Sequence, residues 1–139
     1  MIKAAEIEDL EGVLEIDREV IGHSERSASL EKAIREGGCF IAKSDRGIAG
    51  FLIYDTSFFE CSFISLVIVH PSERRKGVAS RLIENFEQTT STEKVFSSTN
   101  ESNLPMAEVF STLGYRKSGY IDNLDEGDPE IIYFKKLNR

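Results

Sequence analysis

VIVHPSERRKGVASRLIENF, residues 67 to 86, joins two periodicities across a basic turn. Its first part is an apolar, β-branched run closed by Pro71, which reads as the end of a buried strand. Its last part carries Ala79, Leu82, Ile83 and Phe86 at i, i+3, i+4 and i+7, one face of a helix beginning at Gly77. Between them stand Arg74, Arg75 and Lys76. The first turn of a helix exposes unpaired N–H groups, and its macrodipole adds about half a positive charge there. Gly77 lets backbone approach a ligand with no Cβ in the way, and the three cations surround the same spot, so the turn suits a phosphate or pyrophosphate. On charge alone, a solvated cation run on a surface turn explains these residues equally well.

Working outward, a strand at Ile2 to Ala5 precedes a helix from about Glu8, with Leu10, Val13, Leu14, Val20 and Ile21 at helical spacing. A second helix covers Ser29 to Glu36, stopped by Gly37-Gly38. CFIAKS and IAGFLIYD form a hairpin through Ser44-Asp45-Arg46-Gly47, and Cys61 to Val69 is the next strand. Beyond the helix that runs from Gly77 to about Gln88, Lys94 to Ser98 is another strand. Asn103 then caps a helix with Pro105 in its first turn, Met106, Val109, Phe110 and Leu113 on its apolar face, and Gly114 just past its end. Two strands, YRKSGYIDNL and EIIYFKKL, close the chain around the acidic turn DEGDP. Strand, helix, strand over 61 to 98 is a βαβ unit with parallel strands and a right-handed crossover. The expected fold is α/β with antiparallel additions: a mixed sheet of about seven strands flanked by four helices, a single domain over residues 1–139.

The 139 residues are 40% apolar and 29% charged, ordinary globular usage, with no repeat or low-complexity tract. No apolar run approaches the ~20 residues of a bilayer span, and Met1 leads straight into a strand, so a cytoplasmic protein without membrane attachment is expected. A net charge of −7 and a pI near 4.9 argue against a nucleic-acid partner, which would meet a broad basic face. Cys39 and Cys61, with His23 and His70, show neither zinc spacing nor a disulfide framework, so no metal is expected and both thiols read as core residues. Neither G-x-x-x-x-G-K-[ST] nor G-x-G-x-x-G occurs, which excludes the P-loop and dinucleotide readings of the basic turn.

Val67, Val69, Pro71, Arg74, Gly77 and Ala79, read as V-x-V-x-P-x-x-R-x-x-G-x-A, resemble the acetyl-CoA signature of the GCN5-related N-acetyltransferases (GNAT), whose core is R/Q-x-x-G-x-G/A. SNLPMAEVFSTLGY resembles the second block of that family, N-x-x-A-x-x-L-Y-x-x-x-G-F, with Asn103, Gly114 and Tyr115 in register and Val109 in place of Leu. The resemblance implies a GNAT-like fold in which two parallel strands splay and admit the pantetheine arm. It assigns Val67, Ile68 and Val69 to that arm, Arg74, Arg75, Lys76, Gly77, Val78 and Ala79 to the pyrophosphate, and Asn103 to the pantetheine. The implied co-substrate is acetyl-CoA. The implied reaction is direct attack on its thioester by the primary amine of a small molecule, a peptide N-terminus or a lysine, catalysed by a monomer or homodimer. The amine must first lose a proton, because an alkylammonium with a pKa near 10 has no lone pair.

Two positions depart from the family pattern. The usual leaving-group Tyr falls on Phe110, where an added hydroxyl is expected to point toward the cleft, and the glutamate some members carry after the signature helix falls on Ser98. The strand before Pro71 offers Ser65 but no carboxylate. Asp55, Glu60, Tyr120, Glu130 and Tyr133 lie in or beside strands that could border a cleft, with water-relayed deprotonation as the alternative, while His70 is expected to face solvent. Asp125, Glu126 and Asp128 gather carboxylates on one turn, which the resemblance places on the acceptor side, where negative charge would draw in a cationic amine. The competing function is a non-catalytic acyl-CoA-binding module.

Overall fold

A computed structural model describes residues 1–138. Its elements are β1 (Ile2–Ala4), α1 (Leu10–Ile21), α2 (Ser27–Arg35), β2 (Cys39–Ser44), β3 (Gly47–Phe58), β4 (Cys61–Val69), α3 (Val78–Thr89), β5 (Lys94–Asn100), α4 (Leu104–Thr112), β6 (Arg116–Ile121) and β7 (Glu130–Lys136). The seven strands form one mixed sheet in the order β1-β2-β3-β4-β5-β7-β6, with the four helices against it, as the sequence pattern predicts. The chain divides into two compact units, one of residues 1–54 and 66–88, the other of residues 55–65 and from 89 onward.

In the first unit, β2 pairs antiparallel with β1 and with β3, and a register shift falls between Ala42 and Lys43. Val13 and Ile16 of α1 and Leu30 and Ile34 of α2 bury themselves against Ile41, Phe51 and Ile68 of the strands. α1 stops at Gly22, whose φ of +90° and N–H bond to the Arg18 carbonyl form a left-handed cap. Inside this apolar layer lies Asp17, 2% exposed, which the Arg26 guanidinium grips with two nitrogens. A buried carboxylate needs such a partner, since unpaired it would cost several kcal/mol in desolvation, on the order of 3–5. α3 buries Val78, Leu82, Ile83 and Phe86, and the Phe86 ring meets Tyr54 of β3 at 4.8 Å. Leu82, Ile83 and Phe86 face inward as the sequence stripe predicts, but Val78 and not Ala79 completes the buried face, Ala79 being half buried. At Gly50 a Cβ would come within 2.7 Å of the Ile68 carbonyl oxygen, so glycine is what allows β3 to approach β4 there.

In the second unit, β5 lies parallel to β4 from Ser62↔Val95 to Ile64↔Ser97. The Ser97 hydroxyl donates to the Ile64 carbonyl at 2.7 Å, and the buried Ser62 and Thr90 hydroxyls bond each other. β5 and β6 both pair antiparallel with β7. β6 is exposed throughout and slips register at Gly119 (φ +99°), which twists this edge strand. β3 runs further than its apolar core suggests, to Phe58, and turns into β4 through Phe59 (φ +51°) and Glu60 (φ +63°). Two left-handed residues in succession make a tight turn of the I′ kind, a conformation usually reserved for Asn and Gly. Among the described residues, no helix is long and apolar enough to cross a membrane.

Candidate active site

The turn between β4 and α3 belongs to the first unit. After β4, His70 caps the short 3-10 turn Pro71–Glu73, its Nδ1 accepting from the Ser72 N–H at 3.0 Å. Its Nε2 lies 3.1 Å from Glu19 Oε2, so the ring is held from both sides instead of facing solvent as expected from the sequence. Glu73 turns inward and is 8% exposed, with Lys76 Nζ 3.6 Å from its carboxylate. Arg75 (φ +65°) and Gly77 (φ +76°) are left-handed while Lys76 between them is not. Such alternation folds successive N–H groups into one concavity, a geometry suited to an anion. Arg74 reaches back to the Val69 carbonyl through Nε at 3.4 Å and is otherwise exposed. Arg81, which the motif does not include, donates from Nη1 to the Lys76 carbonyl at 2.7 Å and brings a fourth guanidinium or ammonium group to the turn. Its signal was spacing: position 81 lies one helical turn beyond Gly77, and its N–H bonds the Gly77 carbonyl at 3.0 Å. Val67, Ile68 and Val69 form the last part of β4, with Ile68 buried and the other two half buried, and Val78 and Ala79 open α3.

In the second unit, Asn103 caps α4 as its position predicts. Its Oδ1 accepts from the Met106 N–H at 3.3 Å, and its Nδ2 donates to Thr99 Oγ1 at 3.1 Å. Phe110 is 1% exposed and fully packed, its ring stacked on Tyr133 at 4.7 Å and tilted against Tyr115 at 5.3 Å. The ring is core. Burial pushes the Tyr133 hydroxyl above the ordinary phenol pKa. Tyr120, by contrast, is 65% exposed on the edge strand.

The acidic turn after β6 is less free than its composition suggests. Asn100 Nδ2 donates to Asp125 Oδ2 at 2.8 Å and to the Asp128 carbonyl at 3.3 Å. Asp128 takes the Ser102 N–H at 3.0 Å and the Ser102 hydroxyl at 2.6 Å, one on each carboxylate oxygen. Asp125 and Asp128 thus tie the hairpin to the end of β5, and Asp125 and Glu126 are both exposed at its tip. Next to them, the Ser98 hydroxyl donates to Glu130 Oε2 at 2.7 Å. Of the other candidate bases, Asp55 accepts the Ser57 N–H and hydroxyl at 2.9 and 2.8 Å, both on Oδ1, and Glu60 lies in the left-handed turn. Buried Cys39 has a thiol pKa pushed up to about 12 by desolvation and then by Asp9, which makes it inert near neutrality. Among the described residues, no group of three or more His, Cys, Asp and Glu could hold a metal.

Comparison with known proteins follows the same lines. The family model described as Acetyltransferase (GNAT) family matches residues 7–115. A solved GNAT-family acetyltransferase from Bacillus cereus is 48% identical, covering 100% of this chain and 98% of its own, with a TM-score of 0.96. The ribosomal-protein-S18-alanine N-acetyltransferase from Escherichia coli shares the fold at 15% identity and a TM-score of 0.83, covering 100% of this chain and 94% of its own. So does yncA, a putative acetyltransferase from Salmonella typhimurium solved with its cofactor acetyl-CoA, at 14% identity and a TM-score of 0.79, covering 99% and 94%. No match is found among curated proteins. With the signature turn, the second sequence block and the whole strand order in agreement, the chain belongs to the GNAT family of acetyltransferases.

Proposed function

We propose that the protein, acting as one catalytic domain, transfers the acetyl group of acetyl-CoA to a primary amine of a small molecule, a peptide N-terminus or a lysine by direct attack. The observation that carries this reading is the turn from Arg74 to Ala79, where left-handed Arg75 and Gly77 gather backbone N–H groups among Arg74, Arg75, Lys76 and Arg81. A pyrophosphate is the anion whose charge and reach match it. The yncA structure, solved with acetyl-CoA on the same fold, supports that donor. Val67 to Val69 take the pantetheine arm along the β4 backbone. Asn103 and Phe110 are assigned to the donor as well in this reading. Asp125, Glu126 and Asp128 make the acceptor side negative, which favours a cationic amine.

The step itself needs little from the protein beyond positioning. Once deprotonated, the amine attacks the thioester carbonyl, the C–S bond breaks as the tetrahedral intermediate collapses, and the CoA thiolate leaves. Because a thiol titrates near a pKa of about 8.5, its thiolate is a competent leaving group without a phenol beside it, and Phe110 is compatible with turnover. Water returns the proton.

An acetyl-CoA turnover screen over small amines, polyamines and peptides tests the proposal, with free CoA measured in each reaction. Release with at least one amine is expected. Binding of acetyl-CoA by calorimetry with silence on every amine, and robust turnover only after Phe110→Tyr, would make the natural protein a binding module. If the enzyme reading is right, Phe110→Tyr changes kcat by less than about tenfold, or ~1.4 kcal/mol of barrier.

A further inference from the structure

We infer that Glu130 is the general base for the acceptor amine and that Ser98 is its positioning residue. The inference rests on the amine-acetylation reading above. In the β5–β7 ladder Ser98 faces Ile132 and Asn100 faces Glu130, so the Ser98–Glu130 bond of 2.7 Å crosses the sheet diagonally between residues on the same face. That face differs from its reverse. Val95, Ser97 and Thr99 on the reverse are buried, and Tyr133 there is closed over by Phe110 of α4. On the Glu130 side Ile132 is buried, but Phe96, Ser98 and Asn100 are only half buried, and the row continues through Phe134, 5.1 Å from Phe96, to Phe58, 5.2 Å from Phe96. A carboxylate at the end of a half-open aromatic row can meet a substrate.

Three other carboxylates of this unit take part in hydrogen bonds within it. Asp128 has both oxygens on Ser102, Asp125 is held by Asn100, and Asp55 holds the turn at Ser57. Glu130 has one oxygen fixed by a hydroxyl, which sets the plane of the carboxylate; accepting a proton requires only the other. The groups placed around it are Ser98 and Asn100 of β5, its cross-strand partner Ile121 of β6, and the turn carboxylates Asp125 and Asp128, which add negative potential and favour an approaching ammonium. In the reaction the ammonium N–H passes its proton to Glu130, directly or through one water. The freed lone pair forms the C–N bond, the C–S bond breaks, the second N–H proton passes to the thiolate through water, and Glu130 returns its proton to solvent. One acetyl group moves and one proton is released overall.

Glu130→Gln and Ser98→Ala are each assayed with acetyl-CoA and the best amine found in the screen, from pH 6.5 to pH 10, together with acetyl-CoA binding by calorimetry. Glu130→Gln is expected to lower kcat/KM at pH 7 by about 100-fold or more. The deficit should shrink as pH approaches the amine's own pKa, where free amine needs no base, and acetyl-CoA affinity should be unchanged. Ser98→Ala should show the same pattern with a smaller loss, about tenfold. Wild-type kcat/KM at pH 7 in Glu130→Gln overturns the role, and so does a loss equal at every pH, which would mark a structural residue. If the natural protein acetylates no amine while binding acetyl-CoA, the transfer reading itself fails and takes this role with it.

Discussion

The basic turn before α3 and the acidic turn after β6 carry opposite charge and are built in opposite ways. The basic turn is a backbone object: Arg75 and Gly77 are left-handed, the helix start supplies N–H groups, and the cations decorate a shape the main chain has already made. The acidic turn is a side-chain object, in which Asn100 and Ser102 at the end of β5 hold Asp125 and Asp128 across 25 to 28 positions of sequence. A backbone cradle fits one invariant anion and tolerates little change. A side-chain clasp can be re-cut residue by residue, which would suit the acceptor side in the proposed transfer.

The sharpest way to break this contrast is Gly77→Glu. Position 77 requires φ +76°, a Cβ there would stand 3.3 Å from Arg81 Nη1, and the carboxylate would sit where we place pyrophosphate. Acetyl-CoA affinity should fall at least 100-fold, about 2.7 kcal/mol, read by calorimetry on a variant shown to be folded by circular dichroism. Unchanged affinity would show that the backbone is not what binds. Next in size is Asp128→Ala, which removes both acceptors of Ser102. Amide hydrogen exchange at Ser102 should accelerate about tenfold, corresponding to ~1.4 kcal/mol of local opening, with acetyl-CoA affinity unaltered. If affinity falls as well, the two turns are not separate devices. The smallest effect belongs to neutralising Asp125 and Glu126 together. KM for a cationic amine should rise roughly threefold at low salt and converge with the parent at high salt, kcat staying level. Equal KM at both salt levels would reduce the acidic tip to a solvated turn.

The same contrast explains what could be read from the chain beforehand. The order of elements along the chain, the parallel β4–β5 pair and the capped helix at Asn103 were legible because each is written locally, in periodicity, in Gly and Pro, and in an Asn followed by Pro105. The basic turn was legible for the same reason. The Phe59-Glu60 turn was not, because neither residue advertises a left-handed backbone, and Phe59 stays 84% exposed where an apolar residue suggests core. The Asp17–Arg26 pair was hidden by the helical stripe around it. The clasp on Asp128 and the Ser98–Glu130 bond depend on partners 26 and 32 positions apart, which only the fold brings together. Phe110 was misread in the other direction: position in a motif suggested an outward-aimed ring, and packing between Tyr115 and Tyr133 decided otherwise.

Arg75 carries a further consequence for anyone seeking a more robust version of this molecule. A non-glycine residue held left-handed stores on the order of 1 kcal/mol that an unconstrained chain would release. Arg75→Gly would recover that energy and raise the melting temperature of the empty protein, while removing a guanidinium from the anion's surroundings. Selection for heat resistance alone would therefore drift toward glycine here and, if the turn holds acetyl-CoA as proposed, arrive at a sturdier protein with a looser hold on that donor. Screens for hardier variants should include the loaded state from the first round.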